Sequence, residues 1–376
     1  MTGDEAMNIL VLCERLDSPG PGSYATDLSR SLSERGHRVF LITATLPGDE
    51  GPPGLHLPVR LCRHLSAWGV GGVMRRWLMS ELRAFGPDVV HAVVPQLAPV
   101  AWRLARKLGA PGLVTVHSGS PEDRRWGAGD LRGCSIIAAG QSVREDLVNQ
   151  LRIRKARITV IYPGVRAWPG TPPQPLTGRR TTVVGTLGAL DYAEGHRLLL
   201  RATRLVLDRG LDMQLLIAGT GSEKHDLREL ITQLDLQEAV TFVDDISRPR
   251  ELIQVMDVFV LPTTHGGMSP VVLEAMALGK PVVVSGAGGI FAAVRHNHTG
   301  LVFPRGDVPA LAAALVRLML KPDVAARLAR QGRELVREEF ALDRMVDKTV
   351  QLYRRLVEER LAAHAGGPAR TLEESD

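Results

Sequence analysis

A chain of 376 residues exceeds what one hydrophobic core usually supports, so its length points to two domains with a cleft between them. Hydrophobic residues at 44% and charged residues at 23% exclude a disordered or fibrous chain, and no apolar run reaches the length that spans a bilayer. The formal net charge of +5 favours an acidic partner, such as a phosphate-bearing substrate or an anionic lipid surface, but no zinc-finger spacing, RNP-like strand or concentrated basic block points to nucleic acid.

The opening Met1-Thr2-Gly3-Asp4-Glu5 lacks the basic start and apolar stretch of a signal peptide, so a cytoplasmic location is expected. Asn8 to Cys13 reads as the first strand. Ser18-Pro19-Gly20-Pro21-Gly22-Ser23 follows as a turn that lets backbone approach a ligand and aims helix amides at an anion, with Gly20 and Gly22 as the candidate phosphate or acceptor loop. Tyr24, Leu28 and Leu32 share one helix face, and Gly36 is placed to end that helix. Gly20, Gly22 and Ala25 come near a dinucleotide fingerprint, but no acidic residue closes the next strand, Arg38 to Ala44, which disfavours a nicotinamide enzyme.

Trp68, Arg75, Arg76 and Trp77 lie on an amphipathic segment that reads either as a half-buried helix or as a peripheral membrane contact. Strands are expected at Asp88 to Val94, Gly112 to Ser118, Ser135 to Ala139 and Ile158 to Ile161, with a helix at Ala98 to Leu108. Ser142 and Glu145 have capping-box spacing, which predicts a helix start at Ser142. Cys13, Cys62 and Cys134 are odd in number and far apart, as suits reduced thiols rather than disulfides or a zinc site.

The Pro- and Gly-rich stretch from Trp168 to Thr181 has linker composition, so the first domain is assigned residues 1–167 and the second 168–340. Strands then recur at Thr182 to Leu187, Met213 to Gly219, Val240 to Val243, Asp257 to Leu261, Pro281 to Ser285 and Leu301 to Phe303. Residues 341–363 form an amphipathic helix expected to cross back over the first domain, and residues 364–376 are expected to be a mobile tail. The resulting fold class is α/β, with two Rossmann-like, doubly wound parallel sheets.

Ligands of such sheets bind beyond the carboxyl ends of the strands. The most informative stretch there runs from Leu261 through His265-Gly266-Gly267-Met268-Ser269-Pro270 to Glu274 and on to Val283. Ser269 suits the N-cap, Pro270 the first helical position and Gly279 the residue past the end, so free amides face the Gly-rich loop. Glu274, just over a turn in, is placed to meet a ribose hydroxyl.

Glu274-Ala275-Met276-Ala277 with Gly279-Lys280-Pro281-Val282-Val283 resembles the donor-site signature of family-four GT-B glycosyltransferases. The likeness extends to Gly185 and Leu187, Ala218-Gly219-Thr220-Gly221, Gly288-Gly289, Gly300-Leu301-Val302 with Asp307, and Ile161-Tyr162-Pro163-Gly164-Val165. In the first half it includes Gly20, Gly36-His37-Arg38-Val39, Pro87-Asp88-Val89-Val90-His91, and His117 in the position of the family's active-site histidine. The resemblance implies a GT-B fold whose second domain holds a nucleoside-diphosphate sugar and whose first holds the acceptor. It implies transfer with retention, without a bound metal or other cofactor. Its donor site would comprise Gly185, Thr186, Gly219, Gly221, Gly267, Met268, Ser269, Pro270 and Glu274, with His117 as the catalytic residue.

The chain departs from the family where diphosphate charge is met. Thr186 stands at the family's arginine position and Glu194 at its lysine position, while Gly266 and Ala292 stand where glutamates are usual. Losing one such stabiliser costs roughly 2.7–4 kcal/mol in the barrier, which the exposed-helix dipole at about 0.3–1 kcal/mol does not restore. Arg197, Arg201 and His196 are the nearby basic residues in sequence, but spacing does not show which way they face. Two readings follow. One is a glycosyltransferase of cell-envelope polysaccharide or glycoconjugate synthesis, with a lipid-linked or polysaccharide acceptor. The other is a catalytically impaired GT-B homologue acting as a nucleotide-binding or interaction partner.

Overall fold

The computed structural model describes residues 6–16, 20–45, 58–62, 72–117, 128–167, 181–244, 246, 248–264, 269–286 and 288–365. Its first parallel sheet begins with β1 (Asn8–Arg15), α1 (Pro21–Glu34), β2 (Arg38–Thr45) and β3 (Val59–Leu61). It continues through α2 (Gly72–Phe85), β4 (Val89–Ala92), α3 (Ala98–Leu108), β5 (Gly112–Val116), β6 (Ser135–Ala138), α4 (Gln141–Asn149) and β7 (Ile158–Val160). The strand order β3-β2-β1-β4-β5-β6-β7 reverses direction between β1 and β4, which opens a crevice at their carboxyl ends.

The second sheet repeats the plan. It is built from β8 (Thr182–Leu187), α5 (His196–Leu207), β9 (Met213–Ala218), α6 (Lys224–Gln233), β10 (Val240–Val243), α7 (Pro249–Val255) and β11 (Val258–Leu261). There follow α8 (Pro270–Ala277), β12 (Val282–Ser285), β13 (Leu301–Phe303), α9 (Val308–Leu320), α10 (Pro322–Glu339) and finally α11 (Leu342–Ala365). Its order, β10-β9-β8-β11-β12-β13, reverses between β8 and β11.

Both sheets are covered on two faces, as their nearly uninterrupted Val, Leu and Ile runs require. One face of the first sheet packs Leu10, Leu12, Val90 and Val114 against α2, α3 and α4. The other packs Ile9, Val11, Val89 and Leu113 against α1 and against Leu342, Met345, Val346, Leu352, Tyr353 and Leu356 of α11. The expected crossing helix therefore does cover the first sheet. Its path is fixed where Val165 donates to the Phe340 carbonyl and Leu342 donates to the Val165 carbonyl.

Two local readings change. The helix predicted to start at Ser142 instead has Gly140 as its N-cap, in an extended conformation, with no side-chain cap bond. Ser142 thus lies inside the first turn and its hydroxyl is enclosed without a partner. The strand Val59–Leu61 was not expected, because three residues beside a proline carry too little alternation to register. The expected linker from Trp168 lies outside the described residues up to 180, as do Trp68 and residues 366–376.

Candidate functional site

Each sheet reverses its strand order, between β1 and β4 and between β8 and β11, and so leaves a crevice at the carboxyl ends of those strands. On the second sheet, β8 delivers Thr186 and β11 delivers Thr263 and Thr264 to adjacent positions at the carboxyl edge. The two exits are tied together, since the Thr264 amide and the Thr263 and Thr264 hydroxyls all donate to the Ala193 carbonyl, at 2.8, 3.2 and 3.0 Å. Glu194 sits in the same short turn and Gly195 leads directly into α5. Gly195 has φ +73°, and a Cβ there would lie 2.1 Å from the Pro262 carbonyl oxygen. Gly195→Ala is therefore expected to lower stability by more than about 2 kcal/mol, combining a left-handed alanine with a backbone clash. Urea denaturation of the variant checks this.

The start of α8 has the anatomy expected of it. Ser269 is the N-cap in extended conformation, Pro270 is the first helical residue and Gly279 follows the helix at φ +70°. Among the described residues no side chain caps the helix; Pro270 has no N–H and Val272 donates to the Ser269 carbonyl, which leaves the Val271 amide at its start. The start of α5 is likewise without a side-chain cap. Gly266, Gly267 and Met268, which precede Ser269 in sequence, lie outside the described residues.

Glu274 is 6% exposed, and its Oε2 is enclosed without a hydrogen-bond partner. Burial pushes its carboxyl up to about 7, opposed by the charge of Arg250 on α7 and reinforced by Asp27 on α1. Asp27 belongs to α1 of the first half, so the charge that Glu274 feels comes in part from across the seam. Asp27 is itself raised by burial and held down by Arg250, Arg166 and Arg30. Arg250 also donates to the Arg166 carbonyl at 3.2 Å, joining α7 to the end of the first half. This cross-seam arginine group carries no signal in the sequence, because its members are scattered over three segments.

The remaining glycines answer to packing. A Cβ on Gly185 would meet the Met256 sulfur at 2.3 Å, one on Gly219 the Gly188 carbonyl at 1.9 Å, and one on Gly221 the Leu190 carbonyl at 2.4 Å. Gly219 and Gly221 thus let the turn after β9 lie against residues 188–190, beside the exit of β8. Gly22 lets α1 approach the Arg15 and Leu16 carbonyls at the end of β1, and Gly20 takes φ +88° as the N-cap of α1.

Among the described residues, no nearby basic side chain takes over the place of the cation pair expected from the resemblance. Thr186 is 1% exposed. Arg197 is engaged by Glu223 and Asp226, each at 2.8 Å. His196 donates from Nε2 to the Ala189 carbonyl at 2.9 Å, and burial lowers its pKa, which keeps it neutral. Arg201 is exposed on α5. Among the described residues, no group of three His, Cys, Asp or Glu side chains is arranged to hold a metal ion.

Across the seam, His117 follows β5 and donates from Nε2 to the Val93 carbonyl at 3.2 Å. The residue is half-buried, yet its Nδ1 is enclosed and without a partner. Burial holds its pKa down to about 4, so the ring is neutral at neutral pH and Nδ1 is a bare acceptor. Beneath it, His91 bridges the Tyr353 hydroxyl at 2.6 Å and the Thr115 hydroxyl at 2.8 Å. Burial holds His91 down to about 3. Both groups take up protons more readily when unfolded, so their contribution is complete above pH 6.5 and is lost as pH falls toward 4 and 3. Each pH unit of that range costs about 1.4 kcal/mol per histidine. Urea titrations between pH 7 and 4 should show this slope, and His91→Leu should flatten it.

Away from the seam, a cavity of about 370 Å³ opens at the starts of β5 and β6, lined by Trp102, Arg106, Gly133, Ser135, Leu356 and Arg360. It lies at the opposite end of the first sheet from His117. On α2, Trp77 is exposed beneath the Arg60 guanidinium, while Leu78, Met79 and Leu82 are buried. No described helix is long and apolar enough to cross a membrane.

Comparison with known proteins follows the same division. Residues 20–167 match the model of Glycosyltransferase Family 4, and residues 181–321 match that of Glycosyl transferases group 1. An uncharacterized glycosyltransferase of Methanocaldococcus jannaschii is 27% identical, aligned over 89% of this chain and 94% of its own. Glycogen synthase of Mycobacterium tuberculosis is 26% identical over 89% and 90%. Among solved structures, HepE of Anabaena in complex with UDP and glucose superposes with a TM-score of 0.75 at 20% identity, covering 92% of this chain and 99% of that one.

Proposed function

Because the chain belongs to the family 4, group 1 glycosyl transferases of GT-B fold, we propose that it moves a sugar from a nucleoside-diphosphate donor to an acceptor with retention of configuration. The acceptor we assign is a lipid-linked or polysaccharide chain of the cell envelope, with exposed Trp77 available for contact at a membrane surface. In the reaction, the bond from the anomeric carbon to the diphosphate oxygen breaks and a bond to the acceptor oxygen forms on the same face. The acceptor proton passes to the departing diphosphate.

The observation that carries this reading is Glu274, an enclosed carboxylate with an unpartnered oxygen behind the uncapped start of α8. Leaving such a group unsatisfied costs stability, and a ribose hydroxyl would satisfy it. Negative charge on the diphosphate is met by the amides of Val271 in α8 and of His196 and Arg197 in α5 rather than by paired cations. His117, at the facing crevice, contacts the sugar through Nδ1 in this reading. The UDP in the HepE complex supports a nucleotide-sugar donor. The relatives' activities do not favour the non-enzymatic alternative.

The test is release of nucleoside diphosphate when the purified protein is incubated with a panel of nucleotide sugars and acceptors. Silence across a broad panel would count against transfer. The carboxyl of Glu274 gives a second handle. A ribose hydroxyl donates to the ionised form, whereas the free protein holds the proton up to about pH 7. Affinity for nucleoside diphosphate is expected to rise with pH through about 7, with a proton released on binding, and calorimetry in two buffers of different ionisation enthalpy measures it.

A further inference from the structure

His117 depends on one hydrogen bond for its tautomer and on one aromatic neighbour for its ring plane. The Val93 carbonyl can only accept, so the proton resides on Nε2 and the bare nitrogen is Nδ1. A single bond at Nε2 leaves the ring free to rotate about it. Tyr24 of α1 limits that rotation, its ring packing against the imidazole in a T-shaped contact at 5.0 Å between centroids and 79° between planes.

Tyr24 is itself held from three sides. It is 5% exposed and packs in the layer formed by α1, α11 and the first sheet. Its hydroxyl lies beside Thr115 and Thr349 without a well-aligned hydrogen bond to either, and burial pushes it up to about 12, so it stays protonated. Thr349 in turn donates to the Met345 carbonyl of α11, and Thr115 is tied through His91 to Tyr353 of the same helix. The aromatic wall is thus fixed by the helix that returns from the second half. An unaligned hydroxyl contributes little, which leaves the ring as the useful part of the side chain.

We propose that Tyr24 is a positioning residue, whose ring holds His117 in the orientation that keeps Nε2 on the Val93 carbonyl and leaves Nδ1 unbonded. The inference rests on the assignment of His117 to the sugar site for its kinetic consequence alone, since the ring orientation can be read without substrate.

The experiment uses the full chain labelled with ¹⁵N-histidine, with His117→Gln to assign the His117 resonances. In the native protein those resonances should report a single tautomer, protonated at Nε2, that does not titrate above pH 5. Tyr24→Phe should keep both the tautomer and turnover. Tyr24→Met, which retains bulk without a ring, should shift the His117 nitrogens toward averaged tautomer values. With any donor that turns over, it should lower kcat by roughly 10- to 100-fold and leave KM within about twofold, as expected for a misplaced contact group. Tyr24→Leu replaces Tyr24→Met if the latter fails to fold. Unchanged His117 nitrogens in a folded ringless variant would overturn the proposal. Equal loss in Tyr24→Phe and Tyr24→Met would also overturn it, by assigning the effect to the hydroxyl. Changed nitrogens without any turnover in the native protein would support the positioning and count against the transferase reading.

Discussion

Glu194→Lys is expected to raise the transfer rate about 10²-fold, the size of effect seen when a single oxyanion-stabilising group is removed from other enzymes. Glu194 stands in the turn between β8 and α5, beside the uncapped start of α5 where diphosphate charge is assigned. The substitution removes a repelling charge and supplies an attracting one at the same place, so both changes act in one direction. Arg197 does not perform this role in the native chain, because Glu223 and Asp226 hold it. Steady-state rates of diphosphate release at saturating donor measure the effect. An unchanged kcat in a folded variant would mean that the charge at 194 does not reach the leaving group.

Glu274→Leu should separate binding from stability, moving them in opposite directions. The free protein buries this carboxyl with one oxygen unpartnered, so an apolar residue of similar size removes a desolvation cost and is expected to stabilise the fold by about 1–3 kcal/mol. The same change removes the proposed ribose contact, a hydrogen bond to a charged group worth about 1.5–3 kcal/mol, and should weaken nucleoside diphosphate roughly 10- to 100-fold. Thermal melting and calorimetry on one sample measure both. A variant that is less stable and binds normally would assign Glu274 to the core alone. The exchange of stability for binding is the usual signature of a site residue kept against the interest of the fold.

Much of the architecture was legible because parallel strands buried on both faces read as apolar runs. Thr182–Leu187, Val240–Val243 and Leu301–Phe303 have the limits expected from sequence, and Ser269, Pro270 and Gly279 mark α8 as expected. Signals that depend on which residue takes an extended conformation were less legible. Ser142 and Glu145 have the spacing of a capping box, yet Gly140 adopts the cap conformation first and the helix begins ahead of them. Side-chain commitments were not legible at all. Arg197 is near the site in sequence, but only its partners Glu223 and Asp226 at the start of α6 show that its charge is already used. The grouping of Asp27, Arg166, Arg250 and Glu274 across the seam depends on how two halves meet, which no local pattern encodes.

The return of α11 to the first sheet also sets an order of events during synthesis. The face of that sheet carrying Ile9, Val11, Leu113 and Ile137 is completed by Met345, Val346, Tyr353 and Leu356, which leave the ribosome only after the whole second half has been made. Until then the nascent first half presents a greasy, uncovered surface, and His91 lacks the hydroxyl that satisfies its Nδ1. The half that emerges earliest is therefore the one whose core closes last.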